Sequence, residues 1–213
     1  MSPLVIFDCD GVLVDSELLE HGVDAASAPD LLQRFVGIGR TDMYEVAFSE
    51  LGREMPRGLL EERKKLVWQR CQSDLKTVPG VEGALEALRR QPKCVASSNI
   101  LAKLQLKLGS TGLARHFAPH VFSAALVARG KPAPDIYLYA AQAVGHAARD
   151  CIVVEDSPHG IAGATAAGMR AVGYTGGSHA TPSLAAELRS AGAAMVVCHM
   201  DNVPKAIGEL SDG

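Results

Sequence analysis

Residues 4–17 read LVIFDCDGVLVDSE, and the fold turns on this stretch. Leu4 to Phe7 is an unbroken apolar run of the length and composition of a strand buried on both faces. It stops at Asp8, with Asp10 two residues on and Gly11 permitting a sharp backbone turn. Open parallel sheets bind their ligands at the carboxyl edge, where this run ends. A spacing of two on extended chain points both carboxylates to one side, giving one nucleophile or metal ligand and one acid/base. Asp-x-Asp-Gly is by itself equally an ordinary turn. An EF-hand loop does not fit, because Val12 and Leu13 stand where the third oxygen ligand and the glycine belong.

Four further runs rich in Val, Ile and Ala read as strands of the same sheet: Lys93 to Ala96, Cys151 to Val154, Ala171 to Tyr174 and Ala194 to Val197. Helical stretches lie between the later ones, with starts expected at Ser157-Pro158 and Thr181-Pro182. Strand alternating with helix defines an α/β fold built on a parallel sheet. The stretch from about Ser16 to Lys76 breaks this rhythm. It reads as helices over Asp42 to Leu51, where Asp42 and Glu45 form a capping-box pattern, and over Leu59 to Leu75. Val78-Pro79-Gly80 marks the return. The expected division is therefore 1–15 with 79–213 as core and 16–78 as insert.

With 213 residues, 47% hydrophobic and 21% charged, the chain suits one core plus a small accessory domain of a soluble protein. A formal charge of −3 gives no reason to expect nucleic acid, which rewards dense basic patches. The first residues lack a basic start and a long apolar run, so neither a membrane nor export is expected, and a cytoplasmic location follows. Oligomeric state is not legible. The five cysteines are odd in number and mostly within apolar runs, which reads as buried free thiols.

A second acidic pair, Glu155-Asp156, ends the run CIVVEDS and should emerge at the same edge as Asp8. Helix capping by such acids is the plain alternative. Two acid clusters brought to about 4 Å repel by roughly 4 kcal/mol at an effective dielectric of 20, which a cation would relieve. Hard oxygen donors without a His or Cys cluster favour magnesium. Lys131, in RGKPAPDIY, and Ser97, ending CVAS, are further candidates for that edge, although each is also an ordinary loop or cap residue.

These four pieces in order, Asp8-x-Asp10, Ser97, Lys131 and Glu155-Asp156, resemble the four motifs of the haloacid-dehalogenase superfamily, in its phosphatase and phosphomutase branch. The likeness spans nearly the whole chain. It implies a Rossmann-like core with a helical cap at 16–78. It also implies Asp8 as nucleophile and Asp10 as acid/base. Gly11, Ser97, Ser98 and Lys131 would bind phosphate, and Asp8, the Asp10 carbonyl, Glu155 and Asp156 would hold Mg2+. The expected partner is a small phosphorylated metabolite, a sugar or sugar-acid phosphate such as 6-phosphogluconate.

Substrate choice in this family sits largely in the cap, where Arg40 falls at the place of a substrate-gripping arginine in sugar-phosphate relatives. Asn99 is a candidate polar contact at the rim. A β-phosphoglucomutase role is the nearest alternative, but mutases carry a histidine where this chain has Glu20, and His21 is turned about 100° away on a helix. Dehalogenases lack the second aspartate, and a phosphonatase needs a cap lysine with no clear counterpart here. A catalytically idle metabolite-binding protein would have no use for the matched Asp8 and Asp10. His159 is expected to pack at the start of its helix rather than act as a ligand, and the stretch YTGGSHATPS is assigned no chemistry.

Overall fold

The computed structural model describes residues 2–17, 19–20, 48–49, 52 and 54–212. Six strands, β1 (Leu4–Phe7), β2 (Lys93–Ser97), β3 (Val121–Ser123), β4 (Cys151–Glu155), β5 (Arg170–Tyr174) and β6 (Met195–Val197), form one sheet in the order β3-β2-β1-β4-β5-β6. Every pairing is parallel. The order reverses at β1 and β4, so the crossovers on the two sides diverge there and leave a crevice at the carboxyl ends. All five expected runs are strands. β2 and β4 each run one residue further, into Ser97 and Glu155, which brings those side chains to the edge on the sheet itself. β3 is additional: Val-Phe-Ser is too short to show a period in sequence.

The described helices are α1 (Leu59–Ser73), α2 (Val81–Ala87), α3 (Leu101–Ser110), α4 (Ala114–Phe117), α5 (Asp135–Val144), α6 (Pro158–Ala166), α7 (Leu184–Ser190) and α8 (Val203–Asp212). Alternate strand residues face opposite ways. Val5, Phe7, Val95, Ile152 and Val154 pack on Leu85 of α2, Leu104 and Leu108 of α3 and Ile207 of α8. Leu4, Ile6, Cys94, Ala96 and Val153 pack on Tyr137 of α5, Ile161 of α6 and Leu188 of α7. Burial on both faces is what selects the Val- and Ile-rich runs.

Ser157 caps α6 as expected, accepting from the Gly160 N–H at 3.0 Å with Pro158 in the first turn. The expected start at Thr181-Pro182 is corrected: α7 begins at Leu184, and the Thr181 carbonyl instead closes a turn by accepting from the Leu184 N–H at 3.1 Å. No helix among the described residues is long and apolar enough to cross a membrane. All five cysteines are free; four are buried and Cys198 is exposed.

Among the described residues of 16–78 none belongs to the sheet. The chain leaves the core and returns to it along paired segments, with the Asp15 N–H on the Lys76 carbonyl (2.9 Å) and the Val78 N–H on the Leu13 carbonyl (3.0 Å). α1 rests on α3 through Val67 and Cys71 against Leu106. Of the helix expected at Asp42 to Leu51, only Phe48 and Ser49 are described, and they are helical. The Asp42 and Glu45 cap, His21 and Arg40 lie outside the described residues.

Candidate active site

Neighbouring strands β1 and β4 deliver Asp8, Glu155 and Asp156 to the crevice, because pairing of Phe7 with Val154 puts the next residues level. All three are buried, and each offers a carboxylate oxygen within 4.8 Å of the others. They line a cavity of about 380 Å³ together with Asp10, Ser97, Ser98 and Lys131. The four separate stretches of sequence thus meet in one place. A larger hollow of about 500 Å³ lies at the opposite, amino edge of the sheet, where Arg170 already donates to the Leu210 carbonyl.

Lys131 answers part of the negative charge. Its ammonium donates to Asp8 Oδ1 at 2.6 Å, to Glu155 Oε2 at 2.7 Å and to the Ala96 carbonyl at 3.2 Å, and sits 5.0 Å from the Tyr137 ring centroid. The Tyr137 hydroxyl donates to Glu155 Oε2 at 2.8 Å, while Glu155 Oε1 takes the Ser157 N–H (3.0 Å) and hydroxyl (2.8 Å). Glu155 is therefore anchored from every side. Gly160 makes room for it, since a Cβ there would lie 2.0 Å from Glu155 Cδ. Burial would raise the Glu155 carboxyl, yet Lys131, Ser157 and Tyr137 hold it below the usual range. Burial pushes Asp8 well up, offset by Lys131 and reinforced by Glu155, Asp156 and Asp10. Asp156 is pushed well up by burial and then by Glu155.

Asp10 has a different set of partners. Oδ1 accepts from the Ser16 hydroxyl and the Lys107 ammonium, and Oδ2 from the Asn99 side-chain amide. Burial would raise its pKa, but the charge and hydrogen bond of Lys107 bring it below the ordinary value. Asn99, expected at the rim, is thus turned onto the second aspartate. Ser97 is buried and accepts from the Asn99 N–H at 3.3 Å.

Gly11, expected among the phosphate-binding residues through backbone N–H groups near it, commits its own N–H to the Val14 carbonyl at 2.8 Å. Its contribution is steric. At φ 71° a side chain is strained, and a Cβ would lie 1.8 Å from Asp156 Oδ2. His159 is exposed on α6. His179, given no chemistry from sequence, places Nε2 3.0 Å from Asp156 Oδ2. Lys107 and Tyr137 were also missed. Lys107 follows Leu104 by three residues on the apolar stripe of α3, and His179 follows the carboxyl end of β5; the placements are visible in sequence, but the partners are not.

A divalent cation fits this donor set. Asp8 and Asp156 are raised by burial and by mutual repulsion that Lys131 alone does not balance, and oxygen donors with few protein ligands suit magnesium.

The geometry defines an open parallel α/β sheet that gathers three buried carboxylates and a lysine at its carboxyl edge. The haloacid dehalogenase-like hydrolase family matches residues 3–168, so the chain belongs to that family. It stands among the family's phosphoric-monoester hydrolases, being 29% identical over 189 residues to the 6-phosphogluconate phosphatase of Escherichia coli K12, covering 84% of this chain and 85% of the relative. It is similar to a haloacid dehalogenase-like protein of unknown function from Agrobacterium tumefaciens C58, with TM-score 0.87, 39% identity and coverage of 99% and 100%. A family hydrolase from Deinococcus radiodurans R1 with bound phosphate and sodium superposes with TM-score 0.83 at 29% identity, covering 99% and 97%.

Proposed function

We propose that the protein is a magnesium-dependent phosphatase that hydrolyses a small sugar or sugar-acid phosphate, such as 6-phosphogluconate, through a phosphoaspartate. The observation that carries this is the convergence of Asp8, Glu155, Asp156 and Lys131 on one cavity at the strand-order reversal. The relative named above supports the substrate class.

Asp8, the Asp10 backbone carbonyl and Asp156 would hold the metal, with Glu155 in support. Bound there, magnesium supplies positive charge to the transferring phosphoryl and to the ionised nucleophile. An Asp8 oxygen forms the bond to phosphorus as the bond to the sugar oxygen breaks, and Asp10 delivers a proton to that leaving oxygen. Water then attacks phosphorus, Asp10 takes its proton, and phosphate departs. Lys131, 2.6 Å from Asp8 Oδ1, stands beside the bond being made, and the Ser97 hydroxyl and Ser98 hold the phosphoryl oxygens. Residues 16–78 act as a cap that excludes water from the first step, with Arg40 gripping the substrate's far end. The protein works in the cytoplasm. Glu20 is buried against Lys107 and Lys103 rather than offered to a sugar, which leaves the mutase alternative without its histidine.

Phosphate release from a panel of sugar phosphates, sugar-acid phosphates and nucleotides, with magnesium and with chelator, tests the reading. Magnesium-dependent release that is lost in Asp8→Asn supports it; no release from any compound overturns it.

A further inference from the structure

Lys107 is a wholly buried ammonium that the mechanism above leaves without a task. It sits on α3, away from the cluster around Lys131, and reaches Asp10 Oδ1, the Ser16 hydroxyl (3.1 Å) and Glu20 Oε1 (2.8 Å). A lysine is almost never taken fully out of water unless paired. Here it is paired twice, with the second catalytic aspartate and with a carboxylate near the start of residues 16–78. Ser16 and Asn99 complete the grip on Asp10, so three side chains fix both of its oxygens. Glu20 in turn receives Lys103 at 2.7 Å and lies 3.9 Å from Arg63 of α1.

We propose that Lys107 is a positioning residue for Asp10, and that through Glu20 it ties the orientation of that carboxylate to the cap segment. The inference rests on the phosphatase reading, with Asp10 as acid/base. Lys131 serves the nucleophile and Lys107 the proton-transfer group, each from its own element. A well-placed acid or base contributes about 10²–10⁴-fold, and a group displaced by about 1 Å loses roughly 10²-fold.

The test compares 6-phosphogluconate with p-nitrophenyl phosphate, whose phenolate leaves without a proton. Lys107→Met should lower kcat for 6-phosphogluconate by roughly 10²-fold with KM little changed, the scale of a displaced proton-transfer group. With p-nitrophenyl phosphate alone it should give a rapid stoichiometric burst followed by slow turnover, because water attack on the phosphoaspartate still needs Asp10. Lys107→Arg should recover part of the steady-state rate. Lys107→Met leaves the buried Glu20 and the partly buried Asp10 without their shared cation, so Lys107→Met with Glu20→Gln is measured beside it. If neither folds, Glu20→Gln alone should give a smaller burst of the same kind. Wild-type kinetics in a folded variant, or equal loss in burst and steady state, overturns the proposal. A wild-type protein inert toward both compounds overturns the phosphatase reading, and this inference with it.

Discussion

Replacing Lys131 by Met removes the ammonium shared by Asp8 and Glu155 while keeping an unbranched side chain of similar length. The two contacts, 2.6 and 2.7 Å, each represent about 6 kcal/mol of attraction at an effective dielectric of 20, before the penalty of burying the charges. Breaking a buried pair from one side typically destabilises by about 3–5 kcal/mol. For a chain of this size roughly 2–4 °C accompanies each kcal/mol, so the melting temperature should fall by about 6–20 °C in metal-free buffer at neutral pH. The loss should depend on pH in a definite sense. Lys131 is raised well above its ordinary value, with Asp8 and Glu155 outweighing burial, so its contribution is complete below the ordinary lysine value and lost only as pH rises through the raised one. Glu155 is depressed, so its share is complete above the ordinary carboxylate value and lost as pH falls through the folded one. At neutral pH both are in force. Without the ammonium, Asp8, Glu155 and Asp156 repel in a buried site, and acidification relieves them by protonation. The gap between variant and wild type, followed by circular dichroism melts, should therefore narrow from pH 7.5 to 5. A variant melting within about 2 °C of wild type at neutral pH, or a gap that stays constant with pH, would refute the reasoning.

Gly160→Ala would put a Cβ 2.0 Å from Glu155 Cδ, so it should destabilise by about 1–3 kcal/mol and lower turnover by displacing the anchor of Lys131. Thermal melts and initial rates check both effects; an alanine variant equal to wild type in each would show that Glu155 moves freely. Magnesium at about 100 times its dissociation constant should stabilise the protein by roughly 2.7 kcal/mol. Asp156→Asn should lose most of that metal-dependent shift, and an undiminished shift would place the ion elsewhere.

The sheet was legible because buried parallel strands are written as continuous apolar runs, and Leu4 to Phe7 was bounded to the residue. Where reading fell short, the reason was local. Val121–Ser123 has three residues and no period, and Thr181 closes a turn with its carbonyl ahead of a helix that begins only at Leu184. The four motif stretches were each visible as acids, Ser or Lys at run ends, but their distances depend on a strand order that no local pattern encodes. Lys107 and His179 show the same limit. One looks like a solvated helix residue and the other like a loop residue until β1, β4 and β5 are laid side by side. Gly11 shows the converse, since its need for a left-handed turn was readable and the commitment of its amide to Val14 was not.

The central claim is covalent chemistry at Asp8, and rapid-quench mass spectrometry of the protein turning over p-nitrophenyl phosphate with magnesium tests it most directly. The account predicts one phosphoryl group on the peptide containing Asp8, absent in Asp8→Asn and accumulating when Asp10 is replaced by Asn. Turnover with an unmodified Asp8 under conditions that preserve acyl phosphates, or phosphoryl transfer to any other residue, would contradict it.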